Sequence, residues 1–191
     1  MAAIRASEYW DGAYVTGNQD YRASLEEAAR LRIAWHRVHP GDSLVLDGVR
    51  IRFLAPDSAW AASLADPNAA SAVALIQYGQ VRFLMTGDAE AGEEAWMLAR
   101  DTPALRADVL KVGHHGSSTS STPAFLDAVQ PKLALISVGA ENTYGHPSPA
   151  VVRSLVARGV QVLRTDHVGT VVVRTDGRSL DVEAGGERWV R

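Results

Sequence analysis

Apolar runs in the first half of the chain flank two short turn signals. Residues 44–54 are interrupted by Asp47-Gly48, and residues 72–85 are interrupted by Gly79-Gln80. Asp-Gly is typical of a two-residue hairpin turn, and a glycine in the first turn position suits type II′. The pattern therefore predicts two β-hairpins. Residues 55–70, which contain two prolines and an asparagine, are predicted to be a loop.

The N-terminal part of the chain shows a weaker pattern. Residues 1–21 are aromatic and Gly-rich without clear periodicity, so we predict an irregular segment. Ser24 followed by Glu27 is the signature of a capping box. The apolar spacing after Ser24 then predicts a helix that ends near His36.

The second half of the chain alternates between apolar runs and helical spacing. Helices are predicted at 90–100, from Pro123, and from Ser148 to Gly159, with strands at 109–112, 133–138, 160–164 and 170–174. Asp176-Gly177 predicts a final hairpin turn. Hairpins followed by strand–helix alternation indicate an α/β fold in which helices cover sheets in layers.

Composition narrows the class of protein. The 191 residues favour a single domain, 1–191, and the net charge of -3 gives no global sign of a nucleic-acid or membrane partner. The absence of cysteine excludes disulfides and thiolate metal sites, so any metal would be held by His, Asp, Glu or backbone oxygen. No apolar run reaches the ~18 residues of a membrane helix, and we expect a soluble chain.

Asp88 is the first candidate for chemistry. It ends Thr86-Gly87-Asp88, directly after the apolar run 81–85. A carboxylate at the end of a strand can point into a cleft and bridge cations. The alternative is that Asp88 caps a helix that begins near Ala89.

Gly113-His114-His115-Gly116-Ser117-Ser118 is a stronger signal after the apolar run 108–112. Two adjacent imidazoles are rarely a packing solution, because both rings need hydrogen-bond partners. On an extended segment their side chains would point to opposite sides, so at most one would face a given metal. Two exposed loop histidines are the alternative.

A third polar segment follows the run 133–138 and includes Asn142 and His146. His146 is expected on the same edge of the sheet as Asp88 and His115, although a turn histidine is more often merely exposed. Lys111 lies near a predicted strand end, where it could meet a phosphate, and a surface charge is the alternative. Asp166-His167 is interpreted as a turn.

These segments, in this order, resemble the metallo-β-lactamase-like domain of ComEC-type competence proteins. The resemblance rests on residues 41–48, 66–71, 83–90, 108–117, 136–147 and 164–169. It implies a metallo-β-lactamase αββα sandwich and a metal-dependent hydrolase, a phosphodiesterase or nuclease linked to DNA uptake in bacterial natural transformation. Single-stranded DNA or another phosphodiester is the implied substrate.

The resemblance also implies roles for individual residues. Asp88 and His115 match metal ligands, with zinc or manganese as the cofactor and two metals in the complete domain. His114 and His146 match positions that contact phosphate or a metal-bound water, and are the predicted catalytic residues. Ser117, Asn142 and Lys111 are the predicted substrate-binding residues.

The chain departs from this family in one respect. No His-x-His-x-Asp-His cluster occurs in it, so we expect a domain incomplete at its N-terminus, with about the C-terminal two-thirds present. Asp88 and His115 are fewer than the three or four protein ligands that zinc normally takes. We therefore expect the isolated chain to be inactive or incomplete, with no metal bound as one outcome.

Two alternatives remain open. One is a non-catalytic remnant or interaction module, and the other is a hydrolase of a small phosphodiester or lactone on the same fold. A full-length competence protein would attach this domain to the cytoplasmic membrane beside a channel. A homodimer that covers an exposed sheet edge is a further expectation.

Overall fold

The computed structural model describes residues 6–12, 18–62 and 71–190. The strands are β1 Glu8–Asp11, β2 Ala34–Arg37, β3 Ser43–Leu46, β4 Val49–Ala55, β5 Val73–Tyr78, β6 Val81–Met85, β7 Val109–Lys111, β8 Leu133–Ile136, β9 Gln161–Arg164, β10 Val171–Thr175, β11 Leu180–Ala184 and β12 Glu187–Val190. The helices are α1 Gln19–Arg30, α2 Ser58–Ala62, α3 Ala91–Asp101, α4 Pro123–Val129, α5 Pro149–Ala157 and α6 Thr165–Val168. Short 3₁₀ turns cover Thr102–Leu105 and Gly113–Gly116.

The large sheet has the strand order β3-β4-β5-β6-β7-β8-β9. Its first half is antiparallel and contains both predicted hairpins, and β6 to β9 are parallel. Asp47 and Gly48 both have positive φ, 48° and 83°, as the type I′ turn requires. Gly79 has a φ of 57°, which agrees with the predicted II′ turn.

One face of the large sheet packs against helices. Leu84, Leu110 and Ile136 lie in the main apolar core with residues of α3, α4 and α5, among them Met97 and Phe125. Each of these five side chains is almost completely buried. Removal of that apolar surface from water is the main stabilising contribution, at ~25 cal/mol per Å².

The other face of the large sheet packs against a small antiparallel sheet, β10-β11-β12. Val109, Leu133 and Leu163 contact a second core to which Leu180 and Val182 contribute. A third core, around Val38, Phe53 and Ala74, lies where Trp10 of β1 packs near the antiparallel half. Helices, large sheet and small sheet thus form layers, which confirms the predicted α/β layered class.

The first helix differs from its prediction. α1 begins after Asn18, whose Oδ1 accepts hydrogen bonds from Asp20 N and Tyr21 N, and it ends at Arg30. Ser24 is inside the helix and donates to Tyr21 O at 2.7 Å, so the predicted capping box is wrong. The spacing that suggested a helix to His36 instead belongs partly to β2.

Two predicted irregular regions contain regular structure. β1 lies within the predicted irregular segment 1–21 and pairs in parallel with β2. This strand is held by backbone hydrogen bonds to β2, and its short sequence shows no periodicity. α2 lies within the predicted loop 55–70. Residues 63–70, which include most of the 66–71 segment of the resemblance, lie outside the described residues.

The later elements follow their predictions closely. Ser148 Oγ accepts from Ala150 N at the start of α5, with Pro149 in the first turn. Thr122 caps α4 immediately before Pro123. Proline tolerates the first helical position because its missing N–H would have no partner there.

Candidate functional site

The candidate site lies where the parallel strands of the large sheet end. β6 to β9 run in the same direction, so their carboxyl ends meet at one edge. The segments that follow β6, β7 and β8 are residues 86–90, 113–117 and 137–147, and we call them the rim. Ligand sites in sheets with parallel strands commonly lie at this edge. The rim brings together all three polar motifs of the sequence.

Asp88 lies between β6 and α3 and presents its carboxylate to solvent. Its backbone N–H donates to Ser71 Oγ at 3.0 Å, which holds the loop. The side chain is 42% exposed, and its Oδ1 lies 3.7 Å from Nε2 of His115. α3 begins at Ala91 with Glu90 at its N-cap, so Asp88 does not cap this helix and the capping alternative is wrong.

Lys111, the last residue of β7, holds the loop that carries Asp88. Its Nζ donates to Gly87 O at 2.8 Å, and Thr86 Oγ1 donates to Lys111 O at 2.7 Å. Burial lowers the pKa of Lys111, and the Asp88 carboxylate acts in the opposite direction. The ammonium is thus engaged by the backbone of the rim, and its contact with substrate stays a prediction.

His115 faces Asp88 with one ring nitrogen. Its Nδ1 is 2.6 Å from Ser137 O, and since a carbonyl can only accept, Nδ1 carries the proton. In the neutral ring Nε2 then carries the lone pair, and it lies 3.7 Å from Asp88 Oδ1. A backbone carbonyl on the far nitrogen is the usual arrangement of a histidine that ligates a metal through the near one.

The two histidines do not lie on an extended segment, contrary to the sequence-based prediction. His114 and His115 both have left-handed backbone conformations, with φ of 45° and 54°. A Cβ at Gly116 would lie 2.6 Å from Pro147 Cβ, and one at Gly113 would lie 2.8 Å from Ala89 O. Close packing of these two glycines therefore fixes a tight turn that places both imidazoles on the rim.

His114 is paired with a carboxylate that the sequence interpretation did not single out. Its Nδ1 is 2.9 Å from Glu90 Oε1, and Thr119 Oγ1 donates to the same oxygen at 2.9 Å. Both His114 and Glu90 are about one quarter exposed, 26% and 28%. The ring centroid of His114 lies 6.4 Å from that of His115.

His146 completes the histidine cluster, as predicted from its position after β8. Its ring centroid is 5.7 Å from that of His114, in an edge-on arrangement. Asn142 closes the loop that carries it, since Asn142 Nδ2 donates to His146 O and His146 N donates to Asn142 Oδ1. Tyr144 stacks on His146 at 6.1 Å and is 82% exposed.

Ser117 lies at the rim but faces inward. It is 5% exposed, and its hydroxyl pairs with Thr119 Oγ1 at 2.9 Å. In this geometry its side chain holds the turn, and a contact of Ser117 with substrate stays a prediction. The Asn142 side-chain amide likewise donates within the loop, to Gly139 O and His146 O.

Three residues at or beside the rim were missed by sequence reasoning. Glu90 and Ser137 each pair with a histidine, and Thr119, just beyond the rim segment 113–117, donates to the Glu90 carboxylate. The spacing Asp88-x-Glu90 was the available signal for Glu90. Ser137 acts through its carbonyl, for which no side-chain signal exists.

The remaining candidate residues are accounted for by local contacts. Asp166 pairs with Arg164 at the start of α6, which holds its pKa below the usual range. Asp166-His167 was predicted to be a turn, and these two residues instead lie in the one-turn helix α6.

The metal site that the sequence predicts stays a prediction. The described residues contain no group of three or more His, Cys, Asp or Glu side chains arranged to hold a metal ion. The Asp88–His115 pair is nevertheless suitable for two ligands, because ligand atoms at ~2.1 Å from a tetrahedral cation lie roughly 3.4 Å apart. Their 3.7 Å separation is close to that value. The two residues fit a shared cation and are short of the full set that zinc normally takes.

The chain is thus a layered α/β protein with a carboxylate–imidazole pair at the carboxyl edge of its sheet. No protein-family model matches it. It is 37% identical to ComE operon protein 3 of Bacillus subtilis over 155 residues, which is 81% of the chain and 19% of that relative. It is 33% identical to competence protein ComA of Neisseria gonorrhoeae over 161 residues, 84% of the chain and 21% of that relative.

A third relative supports the same assignment. Recombination protein 2 of Haemophilus influenzae is 42% identical over 88 residues, 46% of the chain and 11% of that relative. The chain spans about a fifth of the length of the first two relatives. It is therefore homologous to one segment of ComEC-type competence proteins, which confirms the predicted relationship to that family, while the metallo-β-lactamase fold stays a prediction.

Proposed function

We propose that this chain contributes to a divalent-metal hydrolase, a phosphodiesterase or nuclease, in a bacterial DNA-uptake system. The observation that carries this proposal is the pair of ligand atoms at the rim. Asp88 offers a half-exposed carboxylate, and His115 offers an Nε2 whose tautomer is fixed by Ser137 O. Neither group has a competing close partner on its free side in the described residues. The competence relatives supply the DNA-uptake context.

In this proposal Asp88 and His115 hold zinc or manganese. A bound cation would act as a Lewis acid toward a phosphoryl oxygen and lower the pKa of a bound water. Further ligands would come from residues outside those described here. The metallo-β-lactamase fold is the arrangement that would supply them, and it is proposed on the motif resemblance together with the layered α/β architecture.

The other rim residues have supporting roles in the proposed reaction. The ring of His114 lies 6.4 Å from that of His115 and 5.7 Å from that of His146, centroid to centroid. His114 and His146 would contact a phosphate or exchange protons with the attacking water. Lys111 and Asn142 would fix the loops that carry Asp88 and His146. Single-stranded DNA is the proposed substrate, and a small phosphodiester or lactone is the competing one.

A non-catalytic module is the second candidate function. It is favoured by the shortage of ligands, since the described residues provide no cluster of three. Such a module would bind DNA without metal-dependent cleavage. Among the described residues, no helix is long and apolar enough to span a bilayer.

The test is metal-dependent cleavage by matched variants. The chain, and the full-length natural product if it is longer, is incubated with Mn²⁺ or Zn²⁺ and labelled single-stranded DNA, bis-nitrophenyl phosphate or a lactone. Cleavage that requires the metal and is lost in Asp88→Ala supports the proposal, and the preferred substrate identifies the class. Equal cleavage by wild type and Asp88→Ala contradicts it, as does metal-independent DNA binding with no cleavage of any substrate.

A further inference from the structure

Glu90 occupies an unusual position for a residue at the start of a helix. It is the N-cap of α3, yet its side chain makes no capping hydrogen bond. An N-cap carboxylate normally accepts from the first free backbone amides, which stabilises the helix by ~1 kcal/mol. Glu90 directs its carboxylate toward the rim instead, where Oε1 is 2.9 Å from His114 Nδ1.

The Glu90 carboxylate is itself held in place. Thr119 Oγ1 donates to Oε1 at 2.9 Å, and Ala91 N donates to Thr119 O at 2.8 Å. These two bonds join the start of α3 to the segment after the histidine turn. The Ser117 hydroxyl bonds Thr119 Oγ1 in turn, at 2.9 Å. The orientation of Glu90 is therefore set by a connected polar network rather than by a single exposed contact.

This contact determines the chemical form of His114. An ionised carboxylate can only accept hydrogen bonds, so the imidazole nitrogen that faces it must be the protonated one. The neutral ring then carries its proton on Nδ1 and its lone pair on Nε2. Within the described residues, His114 Nε2 has no hydrogen-bond partner. The left-handed backbone at His114 and the edge-on His146 ring restrict the imidazole further.

We propose that Glu90 is a positioning residue that fixes the Nδ1–H tautomer and the orientation of His114, so that Nε2 presents a lone pair at the rim. This inference deepens the proposed function, on which its catalytic meaning rests. Nε2 would accept a proton from the water that attacks a phosphodiester or return it to the leaving oxygen, next to the Asp88–His115 pair. Carboxylate–histidine pairs serve this orienting role in many enzymes.

The two adjacent histidines then both donate through Nδ1–H, but to different kinds of acceptor. His115 donates Nδ1–H to a backbone carbonyl, and His114 donates Nδ1–H to the side chain of Glu90. A substitution of Glu90 can therefore change the tautomer of His114 while the tautomer of His115 stays as it is. The chain thus offers an internal control for the experiment.

The test is the tautomeric state of both rings, observed by two-bond ¹H–¹⁵N correlation spectra of the ¹⁵N-labelled chain at pH 8 without metal. At that pH an ordinary imidazole is neutral. We expect His114 and His115 both in the Nδ1–H form in the wild type. In Glu90→Ala the His114 signals shift to those of the Nε2–H form or of a mixture, and those of His115 remain. Glu90→Gln, whose amide oxygen can still accept, restores the wild-type pattern at His114.

Two results would overturn the positioning role: His114 in the Nε2–H form in the wild type, or an unchanged Nδ1–H form in Glu90→Ala. Unchanged His115 signals show that the turn is still folded in each variant. Where hydrolysis is measurable, Glu90→Ala lowers kcat by about 10–100-fold, as the loss of an orienting partner does, with KM little changed. A tautomer shift without metal-dependent hydrolysis, by either the chain or a longer natural product that contains it, would preserve the positioning role and contradict the proposed function.

Discussion

The two ends of the parallel strands in the large sheet treat their charged groups in opposite ways. At the amino end, Asp108 accepts from Arg82 N at 3.0 Å and from Lys132 Nζ at 2.9 Å. At the carboxyl end, Asp88 makes no such bond in the described residues and lies 3.7 Å from His115 Nε2. The Asp108 carboxylate is hydrogen-bonded within the fold, whereas the Asp88 carboxylate is available to a ligand.

The residues that surround the carboxyl end of the sheet also differ from those at the amino end. At the rim, backbone atoms and side chains hold the ligand-bearing loops, as Lys111 and Ser71 do for the Asp88 loop. Glu93, in the first turn of α3, is buried, and burial raises the pKa of its carboxyl while the Ser71 backbone acts in the opposite direction. Strongly perturbed carboxyl groups of this kind are more frequent at functional sites. The contrast supports the proposed site at the rim and a structural role for the charged groups at the opposite end.

The largest expected effect is on metal binding. Asp88→Ala and His115→Ala each remove a proposed ligand, so Mn²⁺ affinity should fall by more than the ~10–100-fold that an outer-shell partner contributes. Titration calorimetry on the three chains measures it. Asp108→Ala is the matched control from the opposite end and should bind Mn²⁺ as the wild type does. Equal losses in Asp88→Ala and Asp108→Ala would remove the distinction between the two ends.

The second effect concerns the buried carboxyl near the rim. Burial raises the pKa of Glu93 from 4.5 to about 9. The folded chain therefore keeps a proton that the unfolded chain releases above its lower pKa. Between those two values the free energy of unfolding should fall as pH rises, by up to about 1.4 kcal/mol per pH unit.

Glu93→Gln tests this effect because glutamine stays neutral at every pH. Urea denaturation at pH 5 and pH 8 should show a smaller loss of stability in Glu93→Gln than in the wild type. Glu94, whose pKa burial also raises, remains in the variant, so the slope shrinks rather than vanishes. Glu26→Gln on the exposed side of α1 is the control. Parallel slopes for Glu93→Gln and wild type would contradict a protonated Glu93.

The turn that carries the histidines gives the third effect. Gly116→Ala places a Cβ 2.6 Å from Pro147 Cβ at a φ of 81°. The left-handed conformation alone costs about 1–2 kcal/mol for a non-glycine residue, and the contact adds to it. Thermal unfolding should show a lower Tm, accompanied by weaker Mn²⁺ binding.

Gly139→Ala is the matched control on the same rim, since a Cβ there meets nothing within 4 Å. It should leave both Tm and Mn²⁺ affinity close to those of the wild type. Similar losses in Gly116→Ala and Gly139→Ala would mean that the close contact with Pro147 does not set the turn.

The smallest effect is expected at the amino end. Asp108→Ala removes two hydrogen bonds, one of them from the half-buried Arg82 backbone, and should lower the free energy of unfolding by about 1–2 kcal/mol. Asp127→Ala, which breaks a more exposed pair with Arg158, should cost less than about 1 kcal/mol. Chemical denaturation of both variants makes the comparison. A larger loss in Asp127→Ala would contradict the structural role of Asp108.

Local signals in the sequence were enough to predict much of the fold. Asp47-Gly48 and Ser148-Pro149 each specify a turn or helix start through their own backbone preferences, and both predictions were confirmed. The predicted start of α1 was wrong because the actual N-cap, Asn18, follows a stretch of sequence without periodicity. The parallel pairing of β1 with β2 depends on contacts between distant residues, which a local pattern does not contain.

The candidate site was predictable only where local sequence signals placed its residues. Asp88, His115 and His146 follow apolar strands, and parallel strands bring such positions together. The left-handed turn at His114 was not predictable, because it is set by the packing of Gly116 on Pro147, far along the chain. The role of Glu90 depends on that turn and was missed with it.

The most direct measurement of the central claim is a ¹H–¹⁵N spectrum of the wild-type chain titrated with substoichiometric Mn²⁺. A paramagnetic ion broadens nearby amide signals, so one spectrum reports both ends of the sheet. We expect selective loss of the amide signals of Gly87, Asp88, His115 and Gly116, with those of Asp108 and Lys132 unaffected. Uniform broadening, or loss centred on Asp108, would contradict a metal site at the rim.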